Sequence, residues 1–370
     1  MIYMTHCETL CTTERTAYED IAFPQSVHIV KDTFRRAKSG LFYPPHKAFD
    51  KVILQKTIDY VVDNPVKGKT AFIFAAGSQG WMGTSGRYDR NTDAELHYKT
   101  KIPFLTLTNI YAGRIASIFH VHDHVSTDAS ACASSLKVLM DMQNLFWHYG
   151  FDRVIVLAGE DSVCVPSLEF FGDAKASIQL SEEPDRKPSA FDGTNTGFHV
   201  GQGAALAVFE KEHASMSEPM AKFLGAYTAA ENNTNPLGQR PDGEGYSKAI
   251  DGSLHVSGLR KEDIKVVKTH GTGTDANNKA EKAALLRSLD TFVATSYKPR
   301  IGHTLSASGL LETGLLLNDM EHGIVPRILN RTEDDDVFLS YDAPAPRGPF
   351  LSLAAGMGNV YSAAIFSSEV

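Results

Sequence analysis

Four side chains of this 370-residue chain pair reactive chemistry with a telling placement: Cys132, His270, Lys298 and His303. Cys132 stands in "STDASACASSLKVLMD" (126–141), a run of small residues that passes without a break into a helical pattern. A thiol at the mouth of a helix meets unpaired backbone N–H groups and the positive end of the dipole. Both favour the thiolate, which is the nucleophile. Ala129, Ser130, Ala131 and Ala133 allow a tight turn and leave room for a substrate. His270 lies in "VVKTHGTGTDANNKAE" and His303 in "SYKPRIGHTLSASGLLE", each after a β-type run and before a helical one, with Lys298 just ahead of the second histidine. A lone cysteine is more often a packing residue, and a lone histidine a surface one. The repeated strand-end placement is what points to one site, because ligands of α/β folds gather at the carboxyl ends of strands.

To bring these residues together, strands and helices must alternate. β-type runs at 70–77, 153–159, 204–210, 222–229, 264–270, 291–296 and 350–356 are interleaved with helical patterns at 47–63, 133–149, 277–289 and 305–322. That alternation predicts an α/β fold with buried, largely parallel strands. The polar segment 210–222 divides the chain into a half that carries the cysteine, 1–213, and a half that carries both histidines and the lysine, 214–370. The stretch 179–197 is rich in turn formers and reads as surface loop.

Composition narrows the class. With 42% hydrophobic and 22% charged residues the chain is an ordinary globular protein, and its net charge of -8 argues against general attraction to nucleic acid or anionic membrane. Its first residues lack the basic start and apolar core of a signal peptide, and its longest apolar runs are too short to span a bilayer. Cys7, Cys11, Cys132 and Cys164 read as free thiols of a reducing compartment, so a cytoplasmic location is expected.

The three motifs, in this order, resemble those of the β-ketoacyl synthases, the condensing enzymes of fatty acid and polyketide synthesis. "STDASACASSL" is similar to their nucleophile motif and "THGTGTDANNKAE" to their first histidine motif. "SYKPRIGHTLSASGLLE" is similar to the lysine and second-histidine motif, and "FDGTNTGFHVGQGAALAVFEKE" (191–212) to the segment closing the first half. The resemblance implies a thiolase fold, two similar α/β halves in α-β-α-β-α layers. It implies that Cys132 takes an acyl group from a carrier-protein thioester, while His270 and His303 stabilise the enolate formed when a malonyl thioester loses carbon dioxide. Lys298 and Glu312 would be an ion pair behind the histidines, Thr272 and Thr274 would contact the malonyl or pantetheine part, and Glu281 would brace the loop. No cofactor is expected beyond the phosphopantetheine on a partner acyl carrier protein. A dimer is expected, with a second copy or a homologous ketosynthase-like subunit, the strand before Cys132 lying near the two-fold axis. Lys47 and Lys51 are the expected basic contacts for the acidic carrier. Carrier, acyltransferase and reductase functions would come from separate proteins.

Departures from the family pattern stand out. Where a Phe-Gly-Phe-Gly-Gly turn is usual, the chain reads "LAAGMGN" (353–359), which puts Ala355 at the position of an aromatic pocket gate and implies a wider acyl pocket. Asn278 replaces a common aspartate, and the usual opening strand motif is missing from the N-terminus. Two other functions fit the scaffold: an ester- or amide-forming acyltransferase that does not decarboxylate, and a non-catalytic partner subunit, against which Cys132 argues. "FHVHDHV" (119–125) has the alternating histidines of some zinc sites, His120, His122 and His124 with Asp123, but no partner ligands are evident. No metal is expected.

Overall fold

The structure is a computed structural model that describes residues 1–12, 27–30, 54–77, 107–160, 162, 165–178, 186–193, 197–333, 335 and 337–370. Lys47, Lys51 and Cys164 lie outside the described residues.

The described strands of the first half are β1 (Ile2–Thr12), β2 (Val27–Val30), β3 (Lys69–Ala75), β4 (His124–Asp128), β5 (Phe151–Glu160) and β6 (Gly203–Lys211). Those of the second are β7 (Ala221–Ala230), β8 (Val266–Lys268), β9 (Val293–Thr295), β10 (Ile324–Val325), β11 (Ala343–Pro344), β12 (Pro349–Gly356) and β13 (Val360–Ser367). The main helices are α1 (Gln55–Asp63), α2 (Thr108–Ile118), α3 (Ser134–Tyr149), α4 (Val165–Asp173), α5 (Glu244–Ser257), α6 (Asp275–Ser288) and α7 (Ser308–Glu321).

The strand order β4-β3-β5-β6-β1-β7-β13-β12-β8-β9 reads as the same five-strand pattern twice, mirrored about the β1–β7 seam. In each half the outer three strands are parallel and the inner connections antiparallel: β3 with β4 and β5, then β5 with β6 and β6 with β1; β8 with β9 and β12, then β12 with β13 and β13 with β7. Helices α3 and α7 form the middle layer. α7 is buried on nearly every side, as a helix enclosed by sheets must be. Gln143 on α3 reaches across the halves, its amide donating to Ala226 O and accepting from Ala226 N, both at 3.0 Å. The inner core draws on both halves; separate outer cores pack α2 on one sheet and α5 and α6 on the other. This is the five-layer α-β-α-β-α arrangement.

The N-terminus adds an element that the sequence reading did not assign. An opening strand is present: β1 pairs antiparallel with β6 along its length and with β7 through Ile2, Tyr3 and Met4. Ile2, Met4, Cys7 and Cys11 face the inner core, with a bulge between Met4 and His6 that resets the alternation. Polar partners on the other face (His6, Glu8) and that bulge hide the two-residue period from a sequence reading. Burial pushes both Cys7 and Cys11 up to about 12, so they stay protonated core residues.

Candidate active site

Cys132 sits on a sharp elbow. β4 ends at Asp128, Ala131 takes the left-handed conformation (φ 48°), a single 3-10 turn spans Ala131–Ala133, and α3 begins at Ser134. The Ser134 hydroxyl caps the turn by donating to Ala131 O (2.7 Å), and Asp128 accepts from Ser130 N (3.0 Å). α3 stops where the sequence places its stop, at Gly150 in the left-handed region (φ 67°). A non-glycine residue at positive φ is uncommon, and at a reactive turn it is a mark of function.

The second half repeats the device. Leu305 is left-handed (φ 49°), a 3-10 turn covers Leu305–Ala307, Ser308 donates to Leu305 O (2.8 Å), and α7 follows. The two elbows pack together across the middle layer: Ser135 Oγ accepts from Leu310 N (3.1 Å), and a Cβ on Gly309 would lie 2.6 Å from Leu136. Ser306 stands where the first elbow has Cys132.

The second elbow holds His303. Its backbone N–H donates to His199 O (2.7 Å) and its carbonyl accepts from Gly201 N (2.9 Å), so the 197–203 segment of the first half grips it. Gly201 and Gly302 must be glycine here, because a Cβ on Gly201 would fall 2.4 Å from Ile301 O and one on Gly302 2.9 Å from Gly201. Nδ1 of His303 accepts from Leu305 N (3.3 Å), while the Ser308 hydroxyl beside it (2.9 Å) is committed to Leu305 O. The proton therefore resides on Nε2, by assignment from the network.

His270 faces its partner, the rings 5.4 Å apart and nearly perpendicular. Glu281, fully buried on α6, accepts from His270 N (2.5 Å), Gly271 N (2.9 Å) and Asn277 Nδ2 (2.9 Å), which is a loop brace. Asn278 does keep a contact, accepting from Phe191 N (3.3 Å). Thr272 and Thr274 pair by their hydroxyls at 3.0 Å beside this loop. His270 Nδ1 is buried without a hydrogen-bond partner, a cost that folds tolerate mainly at functional sites.

Both imidazoles are held well below the ordinary histidine range. Burial is the main cause for each, followed by the positive charge of Lys298 and, less strongly, of Lys268, with the neighbouring histidine adding to the effect at His270. Neutral imidazoles follow, with Nε2–H of His303 free to donate. Behind them Glu312 is fully buried and takes Lys298 on Oε1 (2.9 Å) and Lys268 on Oε2 (3.2 Å). Lys298 and Glu312 thus pair as the resemblance implies, but the second lysine was missed. A lysine inside the apolar strand "IKVVKTH", two residues before the histidine, was the available signal.

Cys132 is 6% exposed and groups with Phe171, Phe198, Val200 and Leu305. Phe198 lies edge-on to His303 at 4.9 Å, so one apolar wall is shared by the thiol and the imidazole. β12 ends against the elbow: a Cβ on Gly356 would lie 2.4 Å from Ser130 O. Ala355 is placed differently from the sequence reading. It is still within β12, opposite Tyr361, and buried in the outer core with Phe191; Met357, the first side chain past the strand, packs against the Cys132 cluster. Ala355→Phe should therefore act as overpacking, lowering stability by about 1–3 kcal/mol; urea unfolding of the two proteins checks this.

Among the described residues no group of three or more His, Cys, Asp or Glu is arranged to hold a metal. His124 opens β4 edge-on to Phe151, and Asp123 accepts from Thr70 N (2.9 Å). No described helix is long and apolar enough to cross a membrane.

With this geometry in view, the family comparison is decisive. The family model "Beta-ketoacyl synthase, N-terminal domain" matches residues 60–214, and "Beta-ketoacyl synthase, C-terminal domain" matches 220–332, together most of the chain. The chain belongs to the β-ketoacyl synthase family. Its curated β-ketoacyl synthase relatives include the oxytetracycline polyketide putative beta-ketoacyl synthase 1 of Streptomyces rimosus, 29% identical over 69% of this chain and 63% of that one. The tetracenomycin polyketide synthase ketoacyl synthase alpha subunit of Streptomyces glaucescens is 28% identical over 66% and 60%. The chain thus spans about three fifths of the length of such relatives. Among solved β-ketoacyl synthase structures, a type II polyketide synthase acyl carrier protein complexed with its hexaketide-bound ketosynthase superposes at a TM-score of 0.80, with 17% identity, over 99% of this chain and 98% of that one. The ishigamide ketosynthase/chain length factor gives 0.66 at 21%, over 82% and 76%. At these identities the likeness establishes the thiolase fold.

Proposed function

We propose that the protein is a β-ketoacyl-[acyl carrier protein] synthase that performs a decarboxylative Claisen condensation in fatty acid, polyene or polyketide synthesis. The observation that carries this reading is a nucleophile elbow bearing Cys132 that shares an apolar wall with His303, whose ring faces His270, both imidazoles being held neutral. The Cys132 thiolate attacks a carrier-bound acyl thioester, forming the acyl-cysteine and releasing the carrier thiol. A malonyl thioester then loses carbon dioxide, and the enolate oxygen accepts hydrogen bonds from the imidazoles. The carbanion attacks the acyl-cysteine, a new carbon–carbon bond forms, and the thiolate leaves. Neutral imidazoles suit this better than imidazolium, because a preformed donor need not give up its proton. The chain needs no cofactor of its own; the phosphopantetheine arm arrives on an acyl carrier protein. The named subunit and ketosynthase/chain length factor among its relatives and neighbours support an assembly with a second copy or a homologous subunit. The location is cytoplasmic.

The test separates the half-reactions. His303→Ala should load acyl groups within a few-fold of wild type, while malonyl decarboxylation falls by about 10²–10³, the scale for losing one such donor. Intact mass spectrometry reads loading and released carbon dioxide reads decarboxylation; equal damage to both would sink the assignment.

Because both histidine pKa values are lowered, the acid limb of the decarboxylation profile should lie below pH 6.5. Stability follows with the same sign. The unfolded chain binds protons there that the folded pair refuses, so stability contributed by these groups is present above about pH 6.5 and falls as the pH drops below it. Thermal melts from pH 8 to 5 check it.

A further inference from the structure

Lys268 is a buried cation that the chemistry above leaves unused. It ends β8, is fully buried, and donates to Glu312 Oε2 (3.2 Å) and to the carbonyl of Leu353 in β12 (2.7 Å). β8 and β12 are parallel neighbours with Lys268 opposite Ser352, so that second bond is set by strand register. We infer that Lys268 is a positioning residue that keeps His270 and His303 in their neutral form and fastens them to the strand that ends at the Cys132 elbow. The inference rests on the ketosynthase reading and adds a residue to it.

Geometry carries the mechanical part. Lys268 lies two residues before His270, and its ammonium holds the strand whose Gly356 presses on Ser130 and Ala133. The same ammonium grips the carboxylate that holds Lys298. One side chain therefore touches the supports of both half-sites. Charge carries the rest. Two ammonium groups share the Glu312 carboxylate and both act on the rings, which makes a further positive charge on either one costly. The charged and titratable groups around Lys268 are Glu312 on α7, Lys298 on the helical turn after β9, Glu281 on α6, and the two histidines. Burial pulls Lys268 down to about 8 against the attraction of Glu312, so its charge is present at neutral pH and fades in mild alkali. Without its charge, Glu312 and Lys298 are left as a one-to-one pair, and the rings lose one source of repulsion.

The experiment is a titration of carbon-13-labelled histidines by NMR in wild type, Lys268→Gln and Lys268→Met, with His270→Asn and His303→Asn used only to assign signals. Glutamine keeps a donor for Leu353 without the charge, so it decides the matter if the methionine variant fails to fold. In Lys268→Gln the imidazole midpoints should rise by about one pH unit, a tenfold change in proton affinity. The acid limb of malonyl decarboxylation should rise with them, with kcat affected at neutral pH and KM little changed. Unmoved histidine midpoints, even with a lowered Tm, would overturn the inference by reducing Lys268 to a packing residue. If wild type decarboxylates nothing, the ketosynthase reading fails, and the NMR comparison still decides the role of Lys268.

Discussion

Cys132→Ser should abolish acyl loading, lowering its rate by more than about 10⁴-fold, the scale on which an acyl-transfer enzyme loses its nucleophile. A hydroxyl on the same elbow meets the same helix terminus but lacks the acidity that lets a thiol ionise at neutral pH. The change is almost isosteric and leaves the turn bonds of Ser134 and Asp128 in place, so Tm should hardly move. Intact mass spectrometry after incubation with acyl carriers of several lengths reads the result. Acyl mass on wild type should map to the peptide containing Cys132. Cys7 and Cys11, pushed up to about 12 in the core, offer no competing thiolate. Persistent loading of the serine variant at another cysteine would defeat the assignment.

Glu312→Leu is expected to have the largest effect on stability. It leaves the ammonium groups of Lys268 and Lys298 buried with no carboxylate. Breaking a buried ion pair in this way costs about 3–5 kcal/mol, a large share of the roughly 5–15 kcal/mol that holds a domain together. Soluble yield and urea midpoint should drop sharply. The triple variant Lys268→Met, Lys298→Met, Glu312→Leu should recover much of the loss, because an apolar replacement leaves no orphan charge. Failure of the triple variant to improve on the single would show that packing, not charge, is what Glu312 supplies.

Much of this site is legible in the residues. Small residues before a helical stripe, as in "DASACASSL", admit a tight elbow, and "HVSTD" reads as the strand that β4 is. Gly150 announces the end of α3. Other parts carry weaker signals. β13 ("VYSAAIFS") and α5 ("EGYSKAIDGSLHVS") are thick with serine and glycine, which blunt local propensity; tertiary burial decides them. The strand run at 350–356 ends at Gly356 as read, but matching "LAAGMGN" to the family's turn put Ala355 at the pocket; it lies inside β12 in the outer core, while Met357, just past the strand, packs against the Cys132 cluster. Lys268 went unread for another reason. A single lysine among valines looks like a strand edge until a carboxylate from a distant helix is seen to meet it.

The seam strand has a kinetic consequence. β1 is synthesised well before the strands it pairs with: Cys7 pairs with Ala207, and Ile2 with Phe223. At about 5–20 residues per second, synthesis runs on the order of ten seconds or more before either partner exists. Through that interval the apolar face of β1 waits without β6 or β7 to pair with, and contacts so distant along the chain are slow to form once they can. Expression yield should thus respond to lower temperature and to chaperone supply more than to codon choice. A bulky fusion ahead of Met1 would burden the step on which closure of both halves waits.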